Sequence, residues 1–149
     1  MTIRWFVASL HLLALGIGLG AIAVRARGLR NRRDPIRLRT ILLADTFWGV
    51  AAVIWIGTGL WRAFGGLERG TAYYLGNHVF WLKMTLLAVI LVLEIWPMTV
   101  LIRWRIALSR NQDPDTSNAP VLGAISVVQL MLVIAMVFVA TAMARGVSA

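Results

Sequence analysis

Four ionisable side chains stand inside apolar stretches of the chain: His11, Asp45, Lys83 and Glu94. An ionisable group within a membrane helix is costly, so each is a candidate for chemistry. His11 lies eight residues into its stretch, roughly 12 Å at 1.5 Å per residue. A neutral imidazole at that depth can ligate haem iron or another metal, or it can hydrogen-bond a neighbouring helix. Lys83 is the chain's sole lysine. Its ammonium can snorkel to the headgroups. It can also face inward, pair with a cofactor carboxylate, or act as a ligand once deprotonated.

Glu94 follows Lys83 by eleven residues, almost three whole helical turns. Lys83, Leu87, Ile90 and Glu94 therefore share one helical face, which should point into a bundle rather than at lipid. Asp45 falls at a depth comparable with Glu94. The two carboxylates could share a proton or repel, but ion pairing with loop arginines such as Arg39 or Arg103 is the stronger expectation. Sorted by depth, His11, Lys83, His78 and Arg62 form a basic group toward one end. Asp45, Glu94 and Gln129 lie toward the other. The basic group suits an anionic ligand, such as haem propionates or a lipid headgroup.

These residues need helices to hold them. Apolar runs at about 3–24, 41–61, 79–102 and 121–144 each approach or exceed the ~20 residues that cross hydrocarbon. Backbone in that medium must satisfy its own hydrogen bonds, so the runs are read as helices. Short connections predict an all-α, four-helix antiparallel bundle forming a single transmembrane domain over 1–149. The first run is longer than a signal-peptide core and its charge follows it, so it is read as a retained span.

Composition agrees. The 149 residues are 60% hydrophobic and 14% charged, against about 25% charged in soluble domains. There is no cysteine, which excludes thiolate metal sites, iron–sulfur clusters, c-type haem attachment and disulfides. The net charge of +9 comes largely from Arg25, Arg27, Arg30, Arg32, Arg33, Arg37 and Arg39 in the first connection, opposed there by Asp34. Arg103, Arg105 and Arg110 add to it in the third. The other side holds Arg4, Arg62, Arg69, Arg145 and Lys83. Basic residues cluster on cytoplasmic loops, so both termini are expected outside, in the periplasm of a bacterial inner membrane, with no nucleic-acid role. Trp61, Tyr73, Tyr74 and Trp81 flank the second connection as an interfacial belt would. The third, Asn111 to Pro120, reads as a surface turn.

Gly16 and Gly20 form a GxxxG pair expected to bring helices close. Gly49, Ala52, Ile56 and Gly59 make a second small-residue stripe, with Trp48 and Trp55 on nearly one side. Pro97 removes a backbone bond near Glu94 and predicts a kink.

Three stretches carry a resemblance: Trp5–Gly20 (WFVASLHLLALGIGLG), Ala44–Trp61 (ADTFWGVAAVIWIGTGLW) and Phe80–Glu94 (FWLKMTLLAVILVLE). With them the chain resembles an uncharacterised family of small, four-span bacterial predicted membrane proteins. More distantly it is similar to the haem-associated bacterial protoporphyrinogen oxidase and to copper-resistance D-type membrane proteins. In the oxidase family a helix-one histidine and a helix-three lysine are functional, and His11 and Lys83 match them by helix and depth. Met84 stands where a leucine usually follows that lysine, so the resemblance implies haem binding more than porphyrinogen oxidation.

The leading expectation is a haem b membrane protein for electron transfer or redox chemistry. His11 is its axial ligand, Lys83 the second ligand or a propionate partner, and His78 and Arg62 further candidates. The alternative is a non-enzymatic accessory subunit of a larger membrane complex. Transport is weaker, because four helices are few and Leu87 and Ile90 interrupt any path from Lys83 to Glu94.

Overall fold

A computed structural model of the chain describes residues 2–30, 37–66 and 74–146. Within them lie four helices: α1 (Thr2–Arg30), α2 (Arg37–Phe64), α3 (His78–Ser109) and α4 (Ala119–Ala144). All four are long and apolar enough to cross a membrane. At 1.5 Å per residue they run about 39–48 Å, longer than the ~30 Å hydrocarbon core.

The surplus explains why the helices outlast the apolar runs. The run in α1 stops before Arg25, but the helix continues through Arg30, so Arg25, Arg27 and Arg30 are helical rather than in a connection. In the same way α2 begins at Arg37 and α3 continues through Arg103 and Arg105. Helix α3 also runs on through the buried Pro97. Arg32, Arg33, Asp34, Arg69 and Tyr73 lie outside the described residues.

Caps mark the ends. The Asn77 side chain accepts a hydrogen bond from the Val79 amide at the start of α3, as an N-cap asparagine should. Asn111, just beyond α3, takes a left-handed φ of 54°, a conformation asparagine tolerates after a helix. The connection to α4 is tied down. Trp104 Nε1 donates to the Asp115 carbonyl, and the Ser117 amide donates to the Asp115 carboxylate. The latter bond holds Asp115 below the ordinary carboxylate range.

Helix α1 packs on α2 and on α4, and α3 packs on α4, but α2 and α3 barely approach each other. Contacts between α1 and α2 run in opposite residue order. His11 meets Thr58, Gly18 meets Trp48 and Ala51, and Arg25 meets Asp45. A Cβ on Gly28 would lie 2.6 Å from Ile41 Cγ1, so the helices approach closely there. A methyl added at Gly16, Gly20 or Gly49 would meet nothing within 4 Å. The close approach expected of the Gly16–Gly20 pair is made by Gly18 instead, because the inward face of α1 runs through Ala14, Gly18, Ala21 and Ile22.

The core has two apolar parts. One gathers Ala14, Ile22, Trp48, Trp55, Ile90 and Met136. The other gathers Leu29, Ile41, Leu101, Trp104 and Leu122. A polar cluster around Arg25 lies among them.

Candidate functional site

Two assemblies draw residues from all four helices. The first is an ionic clasp. Arg25 on α1 is fully buried, and its guanidinium has five N–H donors. Nε donates to Ser126 Oγ at 3.1 Å. Nη1 donates to Asp45 Oδ1 at 2.8 Å and Glu94 Oε1 at 2.7 Å. Nη2 donates to Glu94 Oε2 at 2.8 Å and Gln129 Oε1 at 2.9 Å. Every donor is used, and the Glu94 pairing is bidentate, the strong form of such a contact.

The acceptors are held in turn. Gln129 Nε2 donates to Glu94 Oε2 and the Ile90 carbonyl. Arg105 Nη2 donates to Asp45 Oδ2 at 2.7 Å and to the Leu42 carbonyl. Two arginines thus face two carboxylates, and the cluster is neutral. Trp48 adds its ring face 6.0 Å from the Arg25 Cζ, within cation–π range. A buried arginine is tolerable in hydrocarbon only when paired this completely.

The structure brings the expected Asp45, Glu94 and Gln129 together. Their cations are Arg25 and Arg105 rather than the expected Arg39 and Arg103. Sequence reasoning misses Arg25 because it immediately follows an apolar run and reads as a loop charge. The signal available is its register. Arg25 extends the Ala14, Gly18, Ala21 stripe by one more step of four, so a helix continued past Val24 turns it inward.

The second assembly is a cavity of about 320 Å³ near the ends of α1 and α4 that carry the chain termini. His11, Arg62 and Lys83 line it, with Trp55, Leu87 and Met136 among its apolar walls. Three of the four expected ligand-binding side chains therefore converge. His78 is exposed at the start of α3 and is absent from the lining. Among the described residues, no acidic side chain lines the cavity, and no three histidine or acidic side chains gather as a metal site.

His11 Nδ1 lies 2.9 Å from Thr58 Oγ1. Thr58 Oγ1 also lies 2.7 Å from the Ile54 carbonyl and 3.1 Å from the Trp55 carbonyl, either of which can accept its single hydrogen. A hydroxyl bonded in that way accepts from His11 Nδ1–H, the tautomer in which Nε2 carries the lone pair. The ring also packs against Trp55, with centroids 5.9 Å apart. Gly59 leaves room for it, since a Cβ there would lie 3.1 Å from His11 Cε1.

Trp55, Ile90, Val133 and Met136 form apolar core next to the cavity. Ile90 is buried in this core and Leu87 packs against it.

Four helices long and apolar enough to cross a membrane define a multi-pass membrane protein. The chain belongs to the family described as predicted membrane protein (DUF2214), whose profile matches residues 3–148. No curated protein and no solved structure matches the chain.

Proposed function

We propose that this is a bacterial inner-membrane protein that binds haem b in the His11 cavity for electron transfer or redox chemistry. Its helices run antiparallel, with both termini outside. The observation that carries the reading is the His11–Thr58 hydrogen bond. Metal-ligating histidines commonly donate one ring N–H to a neighbour and present the other nitrogen to the metal. With the ring proton on Nδ1 and directed to Thr58, Nε2 would be the ligating atom.

The rest of the lining is compatible. Lys83 and Arg62 can pair with propionate carboxylates. The volume of about 320 Å³ is at the low end of the ~300–1,000 Å³ usual for ligand sites. Met84, Met136 and Met143 line it, and methionine side chains reshape readily around a ligand. Haem bound there would supply one-electron chemistry at iron, with a potential set by its ligands and burial.

The arginine distribution supports the orientation. Arg27, Arg30, Arg39, Arg103, Arg105 and Arg110 all lie at the clasp end, which the positive-inside rule places in the cytoplasm.

Reduced-minus-oxidised absorption spectra of the purified protein, beside a His11→Ala variant, test the reading. A b-type spectrum lost in the variant supports it. Absence of haem, with other membrane proteins co-purifying, overturns it in favour of an accessory subunit.

A further inference from the structure

The walls of the cavity are not equally closed. At the clasp end, Arg105 joins α3 to α2 through Asp45 and Leu42, and Arg25 bridges Asp45 and Glu94. At the opposite end Phe80 packs edge-on against Phe64, with centroids 6.1 Å apart, and against Tyr74 at 5.5 Å. Tyr74 and Phe80 also line the cavity at this end. Helix α1 packs closely on α2 and α4, and α3 on α4, whereas α2 and α3 make few contacts. Leu60 on α2 lines the cavity and is also exposed on the outer surface of the bundle. Among the described helices, the least packed seam beside the cavity is the one between α2 and α3.

The lining also defines what would enter. Arg62, Lys83 and His11 supply cations or donors, and the remaining walls are mostly apolar. Trp55 adds a second sign. It is 8% exposed and lines the cavity, and its Nε1–H has no hydrogen-bond partner among the described residues. An unmet buried donor is costly, and an acceptor oxygen on a ligand would satisfy it.

We infer that the cavity receives a membrane-dissolved amphipathic anion through the α2–α3 seam. Arg62 and Lys83 hold a carboxylate or phosphate head, and the apolar body lies against Leu60, Met84 and Leu87. The inference rests on the cavity being the functional site and not on haem as its occupant.

The test is photolabelling of the full chain in phosphatidylcholine nanodiscs with a diazirine-bearing fatty acid. The uncharged alcohol and the phosphate monoester of the same chain serve as comparisons, and labelled residues are mapped by mass spectrometry. The acid is expected to label Leu60, Met84 and Leu87, and the alcohol to label them about ten-fold less, the scale of one charge-assisted contact. The relative labelling by acid and phosphate identifies the head. Lys83→Met with Arg62→Met should remove the acid's advantage.

Equal labelling by acid and alcohol in the unaltered protein overturns the inference without relying on any variant. So does labelling spread over outward-facing residues such as Val53 and Phe138. A large excess of inorganic phosphate should leave labelling unchanged; displacement by it would assign the cations to a soluble anion and overturn entry from the bilayer. A haem-free protein that passes this test refutes only the haem reading. A haem-bound protein that fails it refutes only this one.

Discussion

Arg25 on α1 and Glu94 on α3 meet fork to fork, Nη1 to Oε1 at 2.7 Å and Nη2 to Oε2 at 2.8 Å. The remaining Arg25 donors reach α2 and α4, so one guanidinium ties the whole bundle together. Glu94→Gln would leave the buried arginine with one carboxylate. Such a half-broken pair costs about 3–5 kcal/mol. The variant should melt well below the parent in detergent, as followed by circular dichroism.

Arg25→Lys should also destabilise. An ammonium has three donors where the guanidinium has five, so at least two of the contacts are lost. A melting point equal to the parent's would mean that the clasp is held by charge alone and that its geometry is dispensable.

Glycine substitutions separate the faces of α1. A methyl at Gly28 meets Ile41 at 2.6 Å, and overpacking of this kind costs about 1–3 kcal/mol. Gly16→Ala and Gly20→Ala meet nothing within 4 Å and should leave monomer stability unchanged. Thermal melting of the three variants side by side checks the contrast.

Much of this architecture is legible in the sequence, and the misses have physical causes. Four spans follow from run length alone. Trp48 and Trp55 lie on one side of α2, and both are buried. Helix ends are not legible, because an apolar run stops at its first charge and a helix does not. That difference hides Arg25, although Asp45 and Glu94 at one depth already favour a cation between them. In α3 and α4 nearly every face is apolar, so Lys83, Glu94, Ser126 and Gln129 are what betray which side is inside. Gly16 and Gly20 have GxxxG spacing but face away from α2, since spacing alone does not say which stripe turns inward. The convergence of His11, Lys83 and Arg62 follows from their depth, while the exclusion of His78 depends on where α3 begins.

Orientation has its own test. The chain contains no native cysteine, so single cysteines report cleanly. Ser117→Cys, in the connection between α3 and α4, should react with a membrane-impermeant maleimide only after the cytoplasmic face is opened. Leu75→Cys, in the connection between α2 and α3, should react in intact spheroplasts. The reverse pattern would invert the bundle and move the cavity to the cytoplasmic half.

The tether on His11 predicts a graded effect. Thr58→Val removes the hydroxyl that bonds Nδ1 but keeps the imidazole. Loss of such a supporting contact typically lowers metal affinity about 10–100-fold. Haem titration of the apo-protein should therefore show weakened binding in Thr58→Val and none at this site in His11→Ala.

The most direct measurement is haem per polypeptide, determined by pyridine haemochrome assay on protein purified from haem-replete cells. The parent and His11→Ala are compared at matched monodispersity. A haem site at His11 predicts about one b-type haem per chain in the parent and a near-complete loss in the variant, with the fold intact because the Arg25 clasp is untouched. Equal haem content in the two proteins, or none in either, would contradict it.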